Sequence, residues 1–207
     1  KKYIVPLNEK LIDKKKSHLK LDSYRPYDVS VDHEGKKPLI IYENGNSDAM
    51  VAGTAKVIRA IDKELYGYFT TIKNDNLFDL DSRENKAPGG YMVCYPVYEK
   101  ASVFYNGTGQ SHDVTVLLHE LGHCFHYFLC KHIRPYQLQD WTPEVAEAGS
   151  MSMEYIGLEN LHYYLDENKC KRIKFDRLRS TVSLFIYCAK GDEFQHWLYS
   201  NPGHTSQ

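Results

Sequence analysis

Two histidines and an acid stand at a spacing that can do chemistry. The segment reads Leu117-Leu118-His119-Glu120-Leu121-Gly122-His123-Cys124-Phe125-His126. On an α-helix turning 100° per residue, His119 and His123 lie about 40° apart and about 6 Å apart along the axis, so both imidazoles can reach one divalent cation. Glu120 follows the first histidine directly. Its carboxylate then flanks the ion's open side, where it can take a proton from an activated water without being a ligand itself. The motif is short enough to arise by chance, so its surroundings decide.

A catalytic zinc site wants a third protein donor and a fourth position left for water. An extended arrangement with a glycine at 126 and a histidine at 129 fails, because the sequence has His126 and Leu129. The remaining candidates are Glu144, Glu147 and Glu154 on a following helix. Glu144 falls in that helix's first turn, where the helix dipole alone explains a carboxylate. Glu147 and Glu154 are within about 20° on one helical face, in a stripe with Ser150 and Met151. Glu147 as ligand, with Glu154 behind it orienting an imidazole N–H, is a coherent arrangement. His126 shares the face of the two histidines and is expected behind the ligands or in the core, while Cys124 points off that face and packs as a small apolar side chain.

The elements that must position these residues follow from periodicity and end signals. Ser111 and Asp113 suit a helix start, and the apolar residues from Val114 onward carry the helix to about 131. Thr142-Pro143-Glu144 starts another helix, covering about 143–166. Upstream, apolar spacing predicts a helix within 7–21, one over 48–64 with Ser47 as cap, and one over 64–74. Residues 27–42 suggest a small hairpin or extended arm around the turn Asp32-His33-Glu34-Gly35. Residues 79–91 look like a loop, whereas 91–98 and 101–105 are aromatic and β-branched runs that suit strands. A last helix spans 175–194, with Gly191 as a break. The expected fold is mainly α with a small β-sheet, in one unit over 1–207: an N-terminal arm and helices at 1–75, loop and sheet at 76–110, and site helices at 111–207.

Composition narrows the function classes. The chain has 207 residues, with 26 Lys and Arg against 27 Asp and Glu for a net charge of -1. That leaves no global field for nucleic acid or an anionic membrane. No apolar run approaches the ~18 residues a spanning helix needs. Five cysteines, an odd count without a Cys-x-x-Cys pair, argue against a disulfide framework or thiolate cluster and point to a reducing cytoplasm. In that setting Asn106-Gly107-Thr108 is a chance glycosylation tripeptide. The first residue is Lys and the last residues break off abruptly, so the sequence is expected to be a piece of a longer protein.

The chain resembles the catalytic region of the oligoendopeptidase F and thimet oligopeptidase family of zinc metallopeptidases. The motifs are Leu77-Phe78-Asp79-Leu80 with Arg83, Lys86 and Gly89-Gly90-Tyr91; Phe104-Tyr105-Asn106-Gly107-Thr108; the His119–His126 stretch; and Glu144-Val145-Ala146-Glu147-Ala148-Gly149-Ser150. Phe194-Gln195-His196-Trp197 and Asn201-Pro202-Gly203-His204-Thr205 are similar to the oligoendopeptidase F branch. The resemblance implies a zincin-like (gluzincin) core and one Zn2+ per chain on His119, His123 and Glu147. It implies Glu120 as general base; Glu154 and His126 stand behind the ligands by the helical faces above. It further implies that the Phe104 to Gly107 stretch is an edge strand, with Tyr105, Asn106 and Gly107 holding an extended peptide by main-chain hydrogen bonds. In the family a Tyr- and His-bearing segment nearer the C-terminus helps stabilise the tetrahedral intermediate. The expected function is a cytoplasmic zinc endopeptidase acting on short oligopeptides, with no nucleic-acid or membrane partner. The alternative is a folded zinc-binding module without independent peptidase activity. Oligomeric state is not encoded in any of these features.

Overall fold

The computed structural model describes residues 2–43, 46–139 and 141–205. It divides into two compact units, one comprising residues 38–173 and the other residues 1–37 and 174–207.

In the first unit, helix α2 (Ser47–Ile61) and helix α3 (Lys63–Asn74) meet at Asp62, following helix α1 (Ile4–Leu19) of the other unit. Asp62 stops α2 in extended conformation and caps α3, accepting from the N–H groups of Glu64 and Leu65 at 2.7 and 2.9 Å. Ser47 does not act as a cap. It is already helical, and its N–H and hydroxyl both donate to Asp81. Strands β1 (Phe78–Asp81), β2 (Tyr91–Tyr95) and β3 (Lys100–Gly107) form a sheet in the order β1-β3-β2. β1 runs parallel to β3, and β2 pairs antiparallel with it in a hairpin from Tyr91↔Phe104 to Tyr95↔Lys100. The strand β1 replaces the start of an expected loop. Its one well-buried side chain, Leu80, sits between Asp79 and Asp81, which mask the alternation.

Helix α4 (Ser111–Cys130) is the centre of this unit. Leu117, Leu118 and Leu121 are fully buried, and Tyr68 of α3 stacks on Phe128 at 4.9 Å. Its start is tied by Asp113. That buried carboxylate accepts from the Thr108 and Gly109 N–H groups and from the hydroxyls of Tyr42 and Tyr105. Ser111 is the first helical residue and Gln110 the cap position, without a capping side chain. Helix α5 (Pro143–Glu159) crosses α4 closely. A Cβ on Gly122 would lie 2.6 Å from Ser150 Cα, and one on Gly157 would lie 2.6 Å from Leu118 Cδ1. Thr142 sits at the cap position of α5 without a side-chain capping bond. The helix ends at Glu159, earlier than expected, and a 3-10 turn over Leu161–Tyr163 follows.

In the second unit, Lys15 of α1 is buried and donates to the carbonyls of Asp28 and Val29. The expected 27–42 segment does not form a hairpin; residues 38–42 belong to the first unit, where Ile40 makes an antiparallel bridge to Gln110. A 3-10 turn covers Pro26–Asp28, and Asp32 closes the next turn by accepting from the N–H groups of Glu34 and Lys36. Helix α6 (Glu167–Ser200) continues through Gly191 without a break, because a helix interior tolerates glycine at about 1 kcal/mol and no proline intervenes before Pro202. Among the described residues no helix is long and apolar enough to cross a membrane.

Candidate active site

One-turn spacing on α4 puts the rings of His119 and His123 4.9 Å apart at an interplanar angle of 83°. Because Gly122 lies between them on the α5 side, α5 approaches near contact and brings Glu147 over both imidazoles. Its Oε2 is 3.3 Å from His119 Nε2 and its Oε1 is 3.7 Å from His123 Nε2. One donor atom from each of the three residues lies within 4.8 Å of the others, a group that could hold a metal ion. Two imidazoles and one carboxylate are the donor set of a catalytic zinc site with an open position. The Ser150 hydroxyl donates to Glu147 Oε2 at 3.0 Å and steadies a side chain that is otherwise half exposed. Glu154, two turns along α5 from Glu147, is buried with Oε1 2.8 Å from His119 Nδ1. That contact fixes the ring and leaves Nε2 turned toward Glu147.

Glu120 is 6% exposed. Burial pushes its carboxyl above the usual carboxylate range, against the opposing pull of His119 and a hydrogen bond from the Met92 N–H. Burial likewise pushes the Cys124 thiol up, and its side chain is fully packed away, as expected of a core cysteine. His126 lies flat on Trp141 at 4.0 Å between ring centroids, and among the described residues its buried Nδ1 has no hydrogen-bond partner.

A cavity of about 320 Å³ opens over this group, lined by Gly90, Tyr91, Met92, His119, Glu120, His123, Trp141 and Glu147. The strand beside it is β2. Here the edge-strand expectation needs correction, since Phe104 lies in the middle strand, paired with Asp79 on one side and Tyr91 on the other. The side chains of Tyr105 and Asn106 are bonded within the fold. The Tyr105 hydroxyl donates to Asp113 at 3.0 Å, and the Asn106 amide donates to the carbonyls of Ala87 and Gly89 at 2.7 and 3.2 Å. A Cβ on Gly107 would lie 2.4 Å from the Tyr42 hydroxyl. These residues build the rim from behind. Lys86 ties β1 to β3, its buried Nζ donating to the carbonyls of Asp79, Asp81 and Tyr105 and to the Asp79 carboxylate. The outer strand at the cavity is β2, with Gly90, Tyr91 and Met92 in the lining and the Met92 N–H bonded to Glu120; the strand pattern alone could not distinguish it from a central strand. Trp141 was also missed, because nothing local to a loop tryptophan tells where its ring points.

A small three-stranded sheet laid along a buried helix, with an acid from a crossing helix over two of its histidines, defines a zincin-like core. The family model described as Peptidase family M3 matches residues 2–207, and the chain belongs to that family. Oligoendopeptidase F, chromosomal, from Lactococcus lactis subsp. cremoris is 24% identical over 182 residues, which are 87% of this chain and 29% of that protein. Among solved structures, a candidate oligoendopeptidase F from Bacillus anthracis str. Ames matches with a TM-score of 0.87 and 26% identity, covering 99% of this chain and 37% of that one. PZ peptidase A with an inhibitor matches with a TM-score of 0.86 and 27% identity, covering 97% of this chain and 35% of that one. The chain therefore spans about a third of the length of these relatives.

Proposed function

We propose that this chain carries the hydrolytic centre of a zinc endopeptidase that cleaves short oligopeptides. The observation that supports it most is the convergence of His119, His123 and Glu147 donor atoms within 4.8 Å at an open cavity, with Glu120 beside them. In this reading His119, His123 and Glu147 hold one zinc ion per chain, and Glu154 keeps the His119 ring in place through Nδ1. When bound, zinc supplies Lewis acidity, polarising the scissile carbonyl and bringing the pKa of water to about 7. The peptide lies extended along the β2 edge beside Gly90 and Tyr91, adding a strand to the sheet where the Met92 N–H is already held by Glu120. Glu120 takes the proton from the attacking water on its carboxylate and returns it to the departing amine. Its burial raises its basicity for the first step, and the Met92 N–H holds its orientation. The odd cysteine count without a Cys-x-x-Cys pair supports a reducing, cytoplasmic setting.

A second reading, zinc binding without turnover, is favoured by the chain's spanning only about a third of its relatives' length. An internally quenched peptide, assayed with and without chelator, separates the two. Chelator-sensitive cleavage that falls at least ~100-fold in Glu120→Gln, with zinc content unchanged, is the expected result. Stoichiometric zinc without any cleavage would establish the second reading instead.

A further inference from the structure

The proposed chemistry leaves two aromatic residues of the cavity lining unused, and the ring of each is backed by another ring. Trp141 is stacked on His126 at 4.0 Å and 20°, and Tyr91 is stacked on Phe104 at 4.7 Å and 14°. His126 is one helical turn beyond His123, so the ring beneath the indole is anchored in the same helix as the histidine pair. A Cβ added at Gly149 would lie 3.7 Å from His126 Nδ1, so α5 passes close to this ring as well. Trp141 immediately precedes Thr142, from which α5 starts, and is thus held at both its backbone and its ring. Trp141 is only partly buried where it packs against the core, and it also lines the open cavity. It offers a preformed face for an apolar ring, worth more than the same area on a mobile side chain.

Resting on the peptide-cleft reading above, we infer that Trp141 is a specificity-determining residue that receives an aromatic side chain of the substrate next to the scissile bond. His126 serves it as a positioning residue, keeping the indole plane turned to the cavity. An alanine at that substrate position leaves the indole face uncovered, and the difference between the two substrates is carried by this contact.

The test uses acetyl-Ala-Phe-Ala-amide and acetyl-Ala-Ala-Ala-amide, titrated into the zinc-loaded and the zinc-free full chain. With Trp197→Phe introduced, Trp141 is the single remaining indole of the chain's two. A saturable change in Trp141 emission is expected with the phenylalanine peptide, and at least about fivefold weaker binding with the alanine peptide. Equal responses, or none to either peptide, would overturn the inference. In parallel, kcat/KM is measured on quenched peptides with the same two substitutions. Trp141→Ala should lower the phenylalanine substrate by about tenfold and the alanine substrate by less than about twofold, while Trp141→Phe retains most of the preference. A uniform fall for both substrates sinks the inference and leaves hydrolysis intact. Emission that discriminates the peptides in a chain that cleaves neither supports the inference and counts against hydrolysis. Should Trp141→Ala fail to fold, the emission titration and Trp141→Phe decide.

Discussion

Gly122→Ala tests whether the α4–α5 crossing sets the metal donors. The new Cβ would meet Ser150 Cα at 2.6 Å, Met153 Cβ at 3.0 Å and the Gly149 carbonyl at 3.1 Å. None of these is the end of a flexible side chain. Restoring an ordinary carbon contact of about 3.5–4.0 Å requires α5 to retreat by about 1 Å. Glu147 is three residues before Ser150 on the same helix and retreats with it, opening the 3.3 and 3.7 Å approaches to His119 and His123. Zinc–ligand bonds hold near 2.0–2.2 Å, so a displacement of about 1 Å detaches the carboxylate or strains it. Overpacking costs about 1–3 kcal/mol, from which better helix propensity returns up to about 1 kcal/mol, so the metal-free chain loses roughly 0–3 kcal/mol. Zinc affinity should fall by at least about tenfold, more than the stability loss accounts for. Chelator competition gives the affinity, and denaturant unfolding of the metal-free protein gives the stability. Gly191→Ala is the control, because nothing lies within 4 Å of its Cβ position in α6, and it should leave zinc untouched. Wild-type affinity in a folded Gly122→Ala chain would refute the claim that close helix approach positions Glu147.

Other perturbations probe the shell around the site. Glu154→Gln removes the carboxylate at 2.8 Å from His119 Nδ1 and should weaken zinc by about 10–100-fold in the same competition assay, with Glu120 unaffected in place. Lys86→Met leaves three carbonyls and the Asp79 carboxylate without their shared donor, and should cost about 2–4 kcal/mol in denaturant unfolding. Asp79 supplies a pH signature. The Arg83 guanidinium, followed by Lys86, holds its carboxyl down to about 2, below the unfolded value near 4. Its contribution is therefore complete above about pH 4 and is lost as pH falls toward 2. The stability gap between wild type and Asp79→Asn should be flat near neutrality and close below about pH 4, and a gap independent of pH would contradict the assignment.

Much of the site was legible because it is local. One helical turn fixes the relation of His119 to His123, and a helix turns the same way in any surroundings. The face shared by Glu147 and Glu154 followed from the same geometry, but which of them sits over the imidazoles depends on the α4–α5 crossing at Gly122, a tertiary fact. Caps were harder. Asp113, rather than Ser111, ties the start of α4, because its carboxylate reaches back to the Thr108 and Gly109 N–H groups. Strand order was not readable, since Tyr105-Asn106-Gly107 and Tyr91-Met92-Val93 both present the residue types of a strand. Only pairing shows that the first belongs to the middle strand β3 and the second to the outer strand β2. β1 escaped notice because two aspartates flank its single core leucine, and α6 outran its expected end because an exposed glycine weakens a helix without breaking it.

The most direct test of the central claim is X-ray absorption at the zinc edge, on the wild-type chain and on Glu147→Ala. The account predicts one zinc per chain, bound by two imidazole nitrogens and a carboxylate with a further light-atom neighbour at about 2.0–2.2 Å, and a lost oxygen contribution with weakened binding in the variant. A sulfur neighbour near 2.3 Å, or an unchanged spectrum and affinity in Glu147→Ala, would contradict it.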